Sequence, residues 1–123
     1  MIKVAFDIDD TIWKCRYKTA DGRVRMDQVP DYDIIQLVKW FYNNGDEVYF
    51  WSAGGVDYCE TVIMNLGLDD YGKVIEKKIG QDIDISFDDN KVELAKTNIQ
   101  VRRETPEYMI EQEVKKNGGK LNK

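Results

Sequence analysis

"KVAFDIDDTIW", residues 3–13, decides how the chain is read. Ile2 to Phe6 form a short apolar run, and three acidic residues, Asp7, Asp9 and Asp10, then fall within four positions, followed by Thr11. A near-continuous apolar run of this length suits a strand covered on both faces, as in a parallel sheet. Carboxylates crowded at the end of such a strand repel one another, so the stretch demands a counter-charge.

Working outward, short apolar strands alternate with amphipathic stretches. A polar segment, 14–28, carries a hairpin-like turn at "ADGR" (Ala20–Arg23). A helix is predicted from Asp31, with Ile34, Leu37, Val38 and Phe41 on one face and Asn44-Gly45 as its stop. Strands are predicted at 2–6, 47–51, 73–77, 84–87 and 99–101. A second helix is expected over 57–65 with Gly67 as its cap, a short one over 91–96, and a third over 105–117. The last has Thr105 as cap, Pro106 in its first position and Gly118 after its end, leaving 118–123 as a frayed tail. The alternation predicts an α/β fold: a three-layer, Rossmann-like arrangement of about five parallel strands with helices on both faces. No repeat or linker interrupts it, so one domain is expected over 1–123, with 14–28 as a β-hairpin flap.

The chain has 123 residues, 42% of them hydrophobic and 33% charged, as in a globular protein. No stretch approaches the length of a membrane span, and the start lacks a signal-peptide pattern. Cys15 and Cys59 show no metal-type spacing, which points to a reduced, cytoplasmic setting. A net charge of -5 weighs against bulk electrostatic binding of nucleic acid. With no histidine in the chain, Ser-His and Cys-His triads are excluded, and proton transfer falls to carboxylates, lysine or tyrosine.

In open α/β sheets the ligand site lies at the carboxyl ends of the strands. Here those ends carry Asp7, Asp9 and Thr11, then Ser52 in "YFWSAGG", Lys77-Lys78 in "EKK", and Asp88-Asp89 in "ISFDDN". Several carboxylates with a lysine and hydroxyls make a pocket for a hard divalent cation, most simply Mg²⁺, and a phosphate. Taken singly, each piece also fits a turn, a cap or a solvated surface.

The ordered set D-x-D-x-T, F-W-S-A, a lysine and F-D-D-N resembles the haloacid dehalogenase superfamily over residues 1–103. The resemblance implies a Mg²⁺-dependent phosphohydrolase working through an aspartyl-phosphate. Asp7 would be the nucleophile, and Asp9 the general acid and then base, its main-chain carbonyl also ligating Mg²⁺. Thr11 would fix the loop around Asp9. Ser52 with the backbone at Ala53 and Gly54 would hold phosphate oxygens, and Asp88 and Asp89 would hold the metal with Asp7. Lys77 or Lys78 would pair with the nucleophile; the sequence does not choose between them, nor between Asp88 and Asp89 as the direct ligand. Asp10 takes no role.

Spacing leaves no room for a cap domain, so the resemblance implies an open site. Such sites serve large substrates, such as phosphorylated protein, nucleotides or nucleic-acid ends, or lipid-linked groups, or are closed by a second subunit. The chain is thus expected as a monomer or homodimer. Lys14, Arg16, Tyr17, Lys18, Arg23 and Arg25 make the flap locally basic and suited to an anionic substrate, or an ordinary charged hairpin. The main alternative is a module that binds Mg²⁺ and phosphate without turnover. A receiver domain is disfavoured because its acidic pair would follow the first strand and its phosphorylated Asp a later one. A dehalogenase is disfavoured because halide departure needs no acid at Asp9.

Overall fold

The structure is a computed structural model and describes residues 1–101 apart from 15–16, 19–20, 23 and 26–28. In chain order its elements are β1 (Lys3–Asp7), β2 (Trp13–Lys14), β3 (Tyr17–Lys18), β4 (Val24–Arg25) and β5 (Val29–Pro30). There follow α1 (Tyr32–Asn43), β6 (Glu47–Trp51), α2 (Val56–Asn65), β7 (Lys73–Val74), β8 (Ile85–Asp88) and β9 (Thr97–Gln100). The predicted C-terminal helix, the tail, Arg16 and Arg23 lie outside the described residues.

Five strands form one sheet in the order β7-β6-β1-β8-β9, every pair parallel. The chain moves outward from β1 through β6 to β7, then returns to the other side of β1 for β8 and β9. That reversal places a crevice at the carboxyl ends of β1 and β8. β1 is central because Val4, Ala5 and Phe6 are all fully buried. Alternation along the strands divides the core. Val4, Phe6, Val48, Phe50 and Phe87 meet Ile34, Ile35, Val38 and Phe41 of α1 and Cys59, Val62 and Ile63 of α2. Phe6 and Phe87 stack at 4.9 Å, and each such buried side chain contributes roughly 1.5–3 kcal/mol. On the opposite face Ala5, Trp51 and Ile83 cluster with Tyr49, Ile75, Leu94 and Ala95. Both described helices therefore lie on one face, where helices on both were expected; among the described residues the other face is covered by irregular segments carrying Ile75, Ile83, Leu94 and Ala95. None of the described helices is long and apolar enough to cross a membrane.

The helix boundaries follow local chemistry. Asp31 caps α1 by accepting from the N–H groups of Asp33 and Ile34, and Gly45 stops it at φ 88°. Two expectations fail. The predicted short helix over 91–96 is absent, and β9 begins at Thr97 instead of residue 99. Asn98 explains both: its Oδ1 accepts from the N–H groups of Leu94 and Ala95 and from Ser86 Oγ, and its Nδ2 donates to Ala95 O. The side chain thus takes the backbone groups a helix would use and pins the edge strand to β8. β7 is also shorter than the predicted 73–77, since the chain leaves the sheet just after Val74. The flap is built from two antiparallel pieces, β2 with β5 and β3 with β4, the latter flanking the predicted turn.

Two loop carboxylates hold the start of the central strand. Asp46 Oδ1 accepts from Ile2 N–H (3.0 Å) and Asp84 Oδ2 from Lys3 N–H (2.8 Å). Asp46 is held below the usual carboxylate range by Asn44 Nδ2–H and then Ile2 N–H, and Asp84 by Lys3 N–H and then Lys96. A depressed folded value means stability that is present above the unfolded carboxylate value, about 3.9, and lost as pH falls through the folded one. Thermal melts from about pH 5 to about pH 2 should therefore show a steep acid loss, shallower in an Asp46→Asn/Asp84→Asn double variant. Equal acid slopes in the two proteins would show that these caps do not contribute.

Candidate active site at the carboxyl ends of the strands

The loop after β1 is wound around one carbonyl. Ile8 O accepts from the N–H groups of Thr11 (3.2 Å), Ile12 (3.0 Å) and Trp13 (3.4 Å), and Ile8 and Ile12 are buried. Asp10 takes the left-handed conformation this turn requires (φ 61°), which aspartate tolerates better than most side chains. That gives Asp10 a backbone role. The anchored turn leaves Asp7 at the strand end, 6% exposed.

Asp7, Asp88 and Asp89 are all buried and each brings a carboxylate oxygen within 4.8 Å of the others. Lys77 reaches into this group. Its Nζ donates to Asp7 Oδ1 at 2.9 Å and to Asp88 Oδ2 at 2.6 Å. Because β7 ends at Val74, the next residues cross over the carboxyl ends of β1 and β8 and bring Lys77 there. Lys78, by contrast, is on the surface, 3.6 Å from Glu76. Asp88 also accepts from Asn90 N–H through Oδ1 (2.9 Å), and Thr11 Oγ1 donates to Asp7 Oδ2 at 3.3 Å. Thr11 thus touches the expected nucleophile through its hydroxyl, while its N–H to Ile8 O closes the loop that carries Asp9.

Electrostatics follow from burial and crowding. Burial pushes the Asp7 carboxyl up, the Lys77 hydrogen bond opposes this, and the Asp88 charge adds to the rise. For Lys77 burial favours the neutral amine, but the hydrogen bonds to Asp88 and Asp7 outweigh it and hold the ammonium above its ordinary value. Among the described residues, Lys77 is the ammonium that meets this buried acidic group, through Asp7 and Asp88. An all-oxygen donor set of this kind fits a hard divalent cation. Burial, with Asp7 next, pushes the Cys59 thiol up to about 12, so it stays protonated and is excluded as a nucleophile.

The second strand end carries Ser52, buried, with Ala53, Gly54 and Gly55 exposed after it. Gly54 N–H donates to Ser52 Oγ (3.0 Å), so this expected phosphate donor is turned inward. Gly55 starts α2 at φ 101° with no side-chain cap, leaving the positive end of the helix beside Ser52. Together these favour an anion at the loop.

Asp9 lies apart from the acidic group. Its Oδ1 accepts from Trp13 Nε1–H (3.1 Å) and from Tyr58 O–H. Tyr58, on the first turn of α2, is a site residue that no local pattern in the sequence marks, because it meets Asp9 only through the packing of α2 against the loop after β1. Comparisons with family models, with curated proteins and with solved structures find no match for this chain. The functional reading therefore stands on these residues.

Proposed function

We propose that the chain is a Mg²⁺-dependent phosphomonoesterase of the haloacid dehalogenase type, without a cap domain. The observation that carries this reading is a carboxylate at the end of the central strand, Asp7, held between Lys77 and Thr11 beside Asp88 and Asp89. Asp7, Asp88 and Asp89, with the main-chain carbonyl of Asp9, would hold Mg²⁺, which supplies positive charge to the phosphoryl oxygens when bound. Lys77 adds to that charge and keeps Asp7 oriented. Ser52 and the end of α2 bind the remaining oxygens.

An Asp7 oxygen attacks phosphorus opposite the ester oxygen. The P–O ester bond breaks, its electron pair stays on the leaving oxygen, and Asp9 gives that oxygen a proton. Water then attacks the aspartyl-phosphate, Asp9 takes its proton, and phosphate departs with Asp7 restored. Trp13 Nε1–H and Tyr58 O–H both donate to Oδ1 of Asp9 and so orient this carboxyl for the transfer. The short path from Asp7 to α1 suits an open site and bulky phosphate monoesters, including nucleotide and macromolecular ones.

An aryl phosphate should be hydrolysed in Mg²⁺ and not in EDTA, with activity returning when Mg²⁺ is restored. A protein that hydrolyses neither aryl phosphates nor a panel of phosphorylated metabolites, peptides and oligonucleotides would overturn the reading. So would a rate unchanged by EDTA.

A further inference from the structure

We infer that Tyr58 is a positioning residue that fixes Asp9 relative to the phosphate-holding loop. This rests on reading Asp9 as the proton donor. Asp9 sits on a short loop, only partly buried, where an unassisted carboxylate would sample several rotamers. Two donors from separate elements converge on the same oxygen. Trp13 lies four residues on, 6% exposed, and Tyr58 lies 49 residues on, at the start of α2. Asp7 and Asp88 accept from other donors, among them Thr11, Lys77 and Asn90.

The other edge of the same tyrosine ring faces the loop after β6. A Cβ on Gly54 would stand 3.0 Å from Tyr58 Cδ2 and 3.3 Å from Ser52 Oγ. Glycine at 54 therefore lets the ring lie against the segment that holds phosphate oxygens while its hydroxyl holds the acid. The phosphorus and its leaving oxygen are one bond apart, so an acid must keep a set distance from the bound phosphate. Tyr58 supplies that tie by touching both partners. A tyrosine that merely finds an acceptor near the surface would have no effect that depends on the leaving group.

The test compares kcat/KM for wild type, Tyr58→Phe and Gly54→Ala on a series of aryl phosphates, from dinitrophenyl to phenyl. Dinitrophenolate departs without a proton, whereas phenolate, with a conjugate-acid pKa of about 10, needs one. Tyr58→Phe should lose about 10-fold or more on phenyl phosphate and less than about 3-fold on the dinitrophenyl ester. The slope of log kcat/KM against leaving-group pKa should steepen. Gly54→Ala, by displacing the ring, should steepen it too. An unchanged slope in Tyr58→Phe, whether its rates fall uniformly or stay at wild-type values, would overturn the role of Tyr58 while leaving the phosphatase reading intact. A wild type inactive on every ester would defeat both.

Discussion

Asp7→Asn should lose phosphate-ester hydrolysis by roughly 10⁴-fold or more while remaining folded. The amide is nearly the same size as the carboxyl but does not attack phosphorus, so the covalent step is lost. The surroundings predict little structural damage. Lys77 keeps its 2.6 Å bond to Asp88, and Thr11 Oγ1 still meets an oxygen or nitrogen at position 7. Burial disfavours the ionised form of Asp7, so removing its charge should leave the melting temperature of the metal-free protein unchanged or higher. For a buried acid whose folded value is raised, the penalty appears above the unfolded value and grows until the pH passes the folded one; Asp7→Asn should therefore gain most near neutral pH. Steady-state kinetics and thermal melts with and without Mg²⁺ test both arms. Retention of more than about a hundredth of wild-type activity would remove Asp7 as nucleophile.

Lys77→Met should destabilise the metal-free protein by about 3 kcal/mol or more, because it removes the ammonium that pairs with two buried carboxylates, Asp7 and Asp88. In a domain of this size that corresponds to a fall in melting temperature of about 10 °C or more. The ammonium's raised value means that its contribution is complete below the unfolded lysine value and is lost only as pH rises through the folded one. The deficit should thus be visible across the neutral range. Mg²⁺ should raise the melting temperature of Lys77→Met more than that of wild type, since a dication at the same carboxylates offsets the missing charge. Lys78→Met is the control. Its partner Glu76 is exposed and the pair is worth at most a few tenths of a kcal/mol, so stability should stay within about 0.5 kcal/mol of wild type. Equal stability of the Lys77 and Lys78 variants would contradict the charge balance drawn for the site.

Both experiments probe a group of residues whose membership is partly local and partly not. Asp7, Ser52 and Asp88 each follow an apolar strand that stands out by its own composition, so the sequence brought them to the carboxyl end of one parallel sheet. Asp31 and the Asn44-Gly45 stop were equally legible, because a cap is a contact between near neighbours. Lys77 and Lys78 were not separable in the same way. Two adjacent lysines carry the same charge, and the choice depends on β7 ending at Val74 and turning the chain over the sheet. The segment 91–96 has helix-forming residues, yet Asn98 takes the N–H groups of Leu94 and Ala95, a competition visible only once β9 lies beside β8.

What the sequence determined by itself was the parallel α/β sheet, the order of its strand-end residues and an acidic pocket with a lysine, because periodicity, capping and charge crowding act over short stretches of chain. Tertiary structure alone decided which lysine enters the pocket and that Tyr58 holds Asp9. Those contacts span 70 and 49 residues and exist only when separate elements pack together.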